Sequence, residues 1–243
     1  MLGDAFGGYQ VYYDMEQRSI SSSFLLVAAA LPSLSFSLQS IYEYVFNGVV
    51  SGDETLLREI LRLPIRGRIE LKANGFALER RIEKPPTEFD DSPLEVHVDA
   101  VSALLNDYFA ALAANFRDEV ACALSGGYDS RLLLALSRHH GIRPRLYVYG
   151  NRDDRDVQLA EHVARGEDLR LDVIDKGDEF GTISGFPEIV ERNYWANDGH
   201  VWAGLFDNGA ETTERRRRVA DGAVSINGGG GEILRNFFYL RDA

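Results

Sequence analysis

The sequence has little cysteine, a shortage of basic residues and no long apolar run. Cys122 is the only cysteine among the 243 residues, which excludes internal disulfides and zinc sites built from several thiolates. The 26 Lys and Arg residues are outnumbered by 38 Asp and Glu residues, which gives a net charge of −12. This charge disfavours a nucleic-acid-binding protein, because attraction to phosphate backbones needs a basic face.

Targeting and membrane signals are also missing from the sequence. The longest apolar run, Phe24–Leu31, is far shorter than the ~20 residues that cross a bilayer, and Pro32 ends it. The opening residues Met1–Asp4 contain no basic segment that leads into an apolar stretch, so we predict no secretory signal. We therefore expect a cytoplasmic protein without membrane association. The five histidines show no metal-ligand spacing.

The composition predicts a packed protein of one or two domains, since 45% of the residues are hydrophobic and 26% are charged. Residues 83–95 contain three prolines and five acids, and this composition is typical of a linker. We predict a strand-rich region over 1–82, a linker over 83–95 and a second domain over 96–243.

The strand-rich region is predicted to contain two hairpins and two helices. Tyr9–Tyr13 and Arg18–Ser21 form the first hairpin, and the second turns at Lys72–Gly75, where Asn-Gly is a strong turn signal. The apolar spacing of residues 41–49 predicts a helix, and a further helix is predicted at Thr55–Leu63.

Beyond the linker, an amphipathic helix that ends near Asn115 is followed by alternating strands and helices. An alternation of this kind builds a parallel sheet covered by helices, so the predicted fold class of this domain is α/β. The predicted strands and helices are 120–124, 131–137, 146–149, 157–164 and 171–174.

A glycine-bearing loop follows the first strand of this domain. Ser125–Ser130 lies at the carboxyl end of a predicted parallel strand, which is the edge where α/β sheets bind ligands. Gly126 and Gly127 allow the backbone to approach an anion closely, and the first turn of the next helix offers unpaired N–H groups. This pattern predicts a phosphate-binding loop.

Three polar side chains complete the loop. Ser125 and Ser130 add hydroxyl donors, whereas Asp129 would repel a phosphate directly. We therefore predict that Asp129 holds a Mg²⁺ ion that bridges to a nucleotide. The alternative is a plain strand-to-helix turn in which Asp129 or Ser130 caps the helix.

The string Ala123–Ser130 resembles the pyrophosphate loop (PP-loop) of the ATP pyrophosphatases, which include asparagine, GMP and NAD synthetases and the β-lactam synthetases. Tyr147–Gly150, followed by Asp156, is similar to the second strand and helix of the asparagine synthetase branch, in which the strand end contacts adenine and ribose. Asp156 has a second interpretation as the N-cap of that helix.

A later segment, Val224–Glu232, resembles the second glycine-rich motif of the asparagine synthetases, Ser-Gly-Glu-Gly-x-Asp-Glu. Asn227 stands where the family has Ser, Gly229 replaces its first Glu, and Glu232 replaces the Asp that helps to hold magnesium. A longer carboxylate can still ligate a metal if the backbone retreats a little. The missing acid at position 229 would affect the reaction of the carboxylate substrate more than the binding of ATP.

The resemblance implies a PP-loop fold of the adenine-nucleotide α-hydrolase type, with ATP and Mg²⁺ as cofactors. Asp129 and Glu232 are the implied catalytic and metal-binding residues. The implied ATP-binding residues are Leu124, Ser125, Gly126, Gly127, Asp129, Ser130, Tyr149, Asn227 and Gly228.

The first 82 residues resemble the tail end of the Ntn-type glutamine amidotransferase domain that precedes the synthetase domain in this family. The resemblance rests on packing motifs, which include Ile20–Ser23, Phe46–Gly48 and Leu61–Pro64. That domain uses an N-terminal cysteine that is freed when Met1 is removed. Position 2 is Leu2 here, so we expect no glutaminase activity from this region.

The far end of the chain departs from the family as well. A catalytic lysine of the family lies well beyond the second glycine-rich motif, and the only lysine after the loop here is Lys176. We predict a surface position for Lys176 and expect the synthetase domain to be incomplete at its C-terminus. Arg215–Arg218 are predicted to form a solvated helix face.

The predicted function is an ATP-dependent ligase that adenylates a carboxylate, releases pyrophosphate and passes the carboxylate to ammonia or an amine. A separate glutaminase or a second copy of the chain could supply a further partner. The alternative is a nucleotide-binding protein or inactive fragment without turnover. A tRNA-modifying relative is disfavoured because the sequence lacks a basic face and paired cysteines. Asn197–His200 is a candidate substrate loop, unless its neighbours Trp195 and Trp202 mark core packing.

Overall fold

The computed structural model describes residues 8–79, 91–116, 119–177, 185–200 and 205–229. The chain divides into two compact units, which are Met1–Phe89 with Tyr194–Trp202 and Asp90–Asn193 with Ala203–Ala243. The chain therefore returns to the first unit at Tyr194–Trp202, which the sequence pattern did not indicate. The predicted linker lies largely outside the described residues.

The first unit is built from short antiparallel strands and two helices. In chain order, its described elements are β1 (Tyr12–Asp14), β2 (Ile20–Ser21), α1 (Phe24–Ala30), α2 (Leu38–Asn47), β3 (Ile60–Arg62), β4 (Arg68–Lys72) and β5 (Gly75–Glu79). Strand β1 lies between β2 and β3 and is antiparallel to both, while β4 pairs with β5 in a separate hairpin.

Strand β1 is buried on both of its faces. Side chains alternate along a strand, so Val11 and Tyr13 face a cluster with Ile69 and Phe76. Tyr12 faces the opposite way, into a second cluster with Phe24, Val27 and Ile60. The first unit is thus organised around one short strand that separates two small cores.

Both predicted hairpins are present. The Asp14 carboxylate holds the turn of the first hairpin by accepting hydrogen bonds from the amides of Ser19 and Arg18. The second hairpin turns at Lys72–Gly75 as predicted, because Lys72 pairs with Gly75 and leaves Ala73 and Asn74 as the central residues of the turn.

The predicted helix at Thr55–Leu63 is wrong, because this segment contains strand β3. The Thr55 hydroxyl bonds to the carbonyl oxygens of Leu57 and Ile60 at 2.9 and 2.8 Å. These bonds and the pairing of β3 with β1 satisfy backbone groups that a helix would have used internally. Tertiary pairing therefore overrides the local helical pattern.

The second unit alternates helices and parallel strands. Its described elements are α3 (Leu94–Phe116), β6 (Val120–Ala123), α4 (Tyr128–His139), β7 (Arg145–Tyr149), α5 (Arg155–Gly166), β8 (Leu171–Ile174), α6 (Phe186–Ala196), α7 (Ala210–Arg218), a 3₁₀ turn at Ala220–Gly222, and β9 (Val224–Ile226). The four strands are all parallel, in the order β8-β7-β6-β9. This mixed α/β architecture with a parallel sheet flanked by helices confirms the predicted fold class at that level.

The two faces of this sheet differ in chemistry. One face belongs to the main hydrophobic core, in which strand residues such as Cys122 and Leu146 pack with residues of α3, α4 and α5. The other face carries polar side chains, and the Tyr147 hydroxyl lies 3.1 Å from Ser225 Oγ and 3.3 Å from Arg218 Nη1 of α7. The apolar helices therefore cover one face, and α7 contributes charged side chains to the other.

Candidate functional site

The strand order places a candidate site at the carboxyl ends of β6 and β9. From β6 the chain moves outward through β7 to β8, and it then returns to the opposite side of β6 at β9. The direction of winding therefore reverses between β6 and β9. In open α/β sheets, such a switch point leaves a crevice outside the strand ends, where ligands bind.

The loop predicted from Ser125–Ser130 begins at this crevice. Leu124 is buried, and its amide donates to the Tyr147 carbonyl oxygen at 2.9 Å, which extends the pairing of β6 with β7. Helix α4 begins at Tyr128, and its N-cap, Gly127, supplies no side-chain hydrogen bond. In the described part of the chain, no acceptor bonds the Gly126 amide. The loop therefore presents N–H groups at the positive end of a helix dipole.

The two serines of the loop have different roles. Ser130 is buried, and its hydroxyl contacts the Ser125 amide at 3.1 Å and the carbonyl oxygens of Ser125 and Gly127 at 3.1 and 3.2 Å. These bonds fix the shape of the loop. Ser125 is exposed, and its hydroxyl accepts from the Gly127 amide at 3.2 Å. Ser125 is thus the serine with access to a ligand, while Ser130 holds the loop.

A second carboxylate lies beside the loop. A Cβ added to Gly126 would come within 2.5 Å of Asp156 Oδ1 and 3.2 Å of Leu159 Cδ2, so a side chain here would have to displace these two. Asp156 is in the first turn of α5, and the N-cap of that helix is Asp154. The interpretation of Asp156 as a helix cap is therefore wrong. Asp156 is exposed, and its carboxylate makes no hydrogen bond within the described residues.

The second glycine-bearing segment meets the first at this edge of the sheet. Strand β9 pairs with β6 so that Ile226 lies opposite Cys122, which places Asn227 and Gly228 next to the loop. A Cβ on Gly228 would lie 2.8 Å from Asp129 Cβ and 3.1 Å from the Ser130 amide nitrogen. The absence of a side chain at position 228 therefore lets this segment pack against the first turn of α4.

The remaining predicted residues of this segment are only partly described. Asn227 Oδ1 accepts from the Gly229 amide at 2.8 Å, which closes a local turn. Glu232, the predicted second metal ligand, lies outside the described residues. Within the described residues, no group of three or more His, Cys, Asp or Glu side chains is arranged to hold a metal ion.

Tyr149, predicted to contact the base, ends strand β7 at the same edge. Its ring lies 4.1 Å from Lys176 Nζ and 5.9 Å from the guanidinium carbon of Arg218. Burial raises the pKa of Tyr149 to about 12 although Arg218 opposes that shift. The hydroxyl is buried, and no described group bonds it. A base that stacks on this ring would share it with Lys176.

The cations near Tyr149 are less exposed than the sequence suggested. Lys176 Nζ lies 2.5 Å from Glu211 Oε2, and the two side chains are only 19% and 22% exposed. Arg218 is 15% exposed and lies 3.5 Å from the same Glu211 carboxylate. The predicted surface position of Lys176 is therefore wrong, and so is the predicted solvated face for Arg218. Arg215 is more exposed and pairs with Glu211 along the helix.

The Asn197–His200 segment belongs to the first unit and not to this site. Asp198 bonds the amide and hydroxyl groups at the start of α1, and His200 packs against Tyr12 and Phe24. Trp195 is 62% exposed, so it does not support the core-packing interpretation, and Trp202 lies outside the described residues.

No protein-family model and no curated protein sequence matches this chain. None of the described helices combines the length and the apolar character needed to span a bilayer.

Proposed function

We propose that the second unit is a PP-loop, ATP-binding domain of the asparagine-synthetase type, in a ligase that forms carbon–nitrogen bonds. In this reaction a carboxylate is activated by ATP with release of pyrophosphate, and ammonia or an amine then forms the amide. One observation carries the proposal. Two glycine-bearing segments about 100 residues apart in the sequence meet at the switch point of a parallel sheet, and Gly228 packs directly on Asp129.

The loop geometry fits a phosphate group. The Gly126 amide and the uncapped first turn of α4 provide donors, and Ser125 adds an accessible hydroxyl. Donors at a helix N-terminus favour anions because the unpaired N–H groups and the helix dipole act in the same direction. Ser130 would keep these donors in position through the bonds it makes within the loop.

The acids around the loop fit a magnesium ion and not a phosphate. Asp129 and Glu232 are the proposed ligands, and Asp156 supplies a further carboxylate beside Gly126. Magnesium would contribute positive charge that offsets the charge of a nucleotide's phosphates. Asp129 is then a ligand of the metal. A neutral amide at this position should therefore weaken the binding of Mg²⁺ and, with it, of the nucleotide.

The nucleoside would lie along the ends of β7 and β9. Tyr149 offers an aromatic surface at the end of β7. Asn227 and Gly228 lie on the other side, after β9, and the buried Leu124 lies between them at the end of β6. We further propose that the nitrogen donor is free ammonia, a small amine or the product of a separate glutaminase. A second copy of the chain as partner, the absence of nucleic-acid partners and a cytoplasmic location remain parts of this proposal.

Calorimetry with Mg·ATP tests nucleotide binding. The unchanged chain should release or absorb heat with a saturable profile, and Asp129→Asn should weaken binding by about tenfold or more, since interactions of charged groups contribute about 1.5–3 kcal/mol. Asp99→Asn is the matched control, because Asp99 is an exposed acid on α3. No heat from the unchanged chain, or equal losses in the two variants, would contradict the proposal.

Pyrophosphate release separates the ligase from its alternative, a nucleotide-binding protein without turnover. Gly229 favours that alternative, because a position that carries an acid in the family here contributes only an amide bonded to Asn227. A panel of carboxylates and amines would be assayed with Mg·ATP. Pyrophosphate that depends on both co-substrates supports the ligase, whereas nucleotide binding without release across the panel supports the alternative.

A further inference from the structure

The first unit contains a cavity of about 100 Å³ that the proposed function does not use. Its apolar wall includes Phe24, Tyr44 and Leu56, and its polar lining includes Arg62, Glu54 and His200. Ligand sites combine an apolar wall with a few fixed polar groups, because the first supplies affinity and the second supplies orientation.

Arg62 is the cation of this cavity. Its Nη2 donates to the carbonyl oxygens of Val50 and Gly52 at 2.7 and 2.8 Å, which fixes the guanidinium in place. Its Nε and Nη1 make no hydrogen bond within the described residues, and no described carboxylate lies within ion-pair distance. A guanidinium offers donors in a rigid fork that matches a carboxylate. Arg62 is therefore held in position with donors left over.

His200 is a fixed neighbour of this cation. Its Nε2 lies 2.5 Å from the Tyr12 hydroxyl, and its ring packs 5.5 Å from that of Phe24. Burial is the main cause that lowers the pKa of His200; the charge of Asp198 opposes this shift, and that of Arg62 acts with it. Gly199 precedes it with φ of 74°, and a Cβ there would lie 2.8 Å from Leu25 Cδ2. The backbone therefore holds His200 in this position.

We propose that this cavity binds a short-chain monocarboxylate, with the carboxylate on Arg62 and the hydrocarbon part against Phe24, Tyr44 and Leu56. The volume is about two thirds of the ~150 Å³ of an apolar cavity that binds benzene, which limits the ligand to a few carbon atoms. Glu54 also lines the cavity, and its carboxylate makes no hydrogen bond within the described residues. A second acidic group on the ligand would meet this charge, so dicarboxylates are excluded.

Binding would be measured by NMR on the full chain at constant ionic strength, with butyrate, butyramide and succinate as probes. The His200 ring and the Thr55 amide report on the cavity, because both residues line it. Butyrate should give saturable shifts at both positions. Butyramide has nearly the same shape without the charge, and it should bind at least about tenfold more weakly. Succinate should give no saturable shift at these positions.

Arg62→Met should reduce butyrate affinity by about tenfold or more. Arg68→Met is the matched control, because Arg68 is a half-exposed arginine on β4 that faces Glu79 and does not line the cavity. Equal affinity for butyrate and butyramide, equal losses in the two variants, or an absence of saturable shifts would overturn the proposal. If Arg62→Met fails to fold, the comparison of butyrate with butyramide on the unchanged chain still tests whether the cavity prefers a carboxylate.

Discussion

Gly228 is the residue on which the candidate site most directly depends. Replacing it with alanine places a methyl group 2.8 Å from Asp129 Cβ, so either the segment after β9 or the start of α4 must shift. We expect Gly228→Ala to lower the free energy of unfolding by about 1–3 kcal/mol, as overpacking does. It should also abolish Mg·ATP binding. Urea denaturation and calorimetry measure the two effects.

Gly166→Ala provides the control for that substitution. Gly166 is the last residue of α5, and nothing lies within 4 Å of an added Cβ. This change should leave nucleotide binding unchanged and should not reduce stability, because alanine is a better helix former than glycine by about 1 kcal/mol. Equal behaviour of the two alanine variants would show that the contact at Gly228 is unimportant.

Cys122 should be inert in the folded protein. It is fully buried in β6, and burial raises the pKa of its thiol to about 12. Because the thiolate is the reactive form, a thiol-specific reagent should modify no cysteine in the native chain and one in denaturant. Fast modification of the native chain would show that β6 opens.

A relocated cysteine tests the loop with the same reagent. In the double variant Cys122→Ala, Ser125→Cys, the only thiol lies at an exposed position of the loop. We expect rapid modification there and protection by Mg·ATP, because the proposed site places the nucleotide over this residue. Modification at an unchanged rate when Mg·ATP is present would argue against that placement.

Residue patterns indicated the loop but not every role within it. Two adjacent glycines after a buried strand predict a loop between β6 and α4, and the structure has it; its binding of a ligand stays a prediction. The location of Asp156 beside Gly126 depends on how α5 packs, and local sequence does not encode that contact. The half-buried position of Lys176 has a similar cause, since its partner Glu211 is 35 residues away in the chain.

Among the elements, helix α1 depends on a carboxylate from a distant part of the sequence. Asp198 accepts from Ser23 Oγ at 2.5 Å, from the Phe24 amide at 2.5 Å and from the Leu25 amide at 3.3 Å. Asp198→Ala should raise hydrogen exchange across Phe24–Ala30 and cost about 1–2 kcal/mol, as loss of a helix cap does. Unchanged exchange in α1 would contradict this role.

Helix α7 should confer a pH-dependent stability through Glu211. Burial raises the pKa of this carboxyl, but hydrogen bonds and charges from Arg215 and Lys176 outweigh burial and lower it to about 2, from an ordinary value of 4.5. A carboxyl with a lowered folded-state pKa stabilises the fold above its unfolded-state pKa, and that contribution is lost as the pH falls toward the folded-state value.

We therefore expect Glu211→Gln to be less stable than the unchanged chain near neutral pH, by on the order of 1–2 kcal/mol after solvent screening. The difference should close between pH 4.5 and about pH 2. Glu191→Gln is the control, because Glu191 is an exposed acid on α6 without an ion pair in the described residues. A difference that persists unchanged at low pH would argue against this mechanism.

Helices and strands were predicted well from β6 to β8 and less well in the first unit. The five strands and helices from β6 to β8 follow patterns that the sequence shows clearly, because buried parallel strands are continuous apolar runs. The segment that contains β3 has helical spacing but pairs with β1. Helix α3 was predicted correctly, yet only its second half is buried, since Phe109 and Leu112 are covered while Leu94 and Leu104 are exposed.

At the scale of the whole molecule, the two units have separate cores and should respond separately to core substitutions. Ile69 is 1% exposed in the first unit, and Leu146 is fully buried in the second. Ile69→Ala and Leu146→Ala should each cost about 2–5 kcal/mol, and each should lower a different transition in calorimetric unfolding. If both variants lower one shared transition by the same amount, the units unfold as one.

The same experiment locates the nucleotide site. A ligand that binds only the folded state stabilises it by about 2.7 kcal/mol at a concentration one hundred times its dissociation constant. Mg·ATP should therefore raise the transition that Leu146→Ala lowers and leave the other unchanged, because the loop and its partner segment lie wholly in the second unit. Butyrate should do the reverse, since Arg62 and His200 belong to the first unit. A shift of the wrong transition by either ligand would place its site in the other unit.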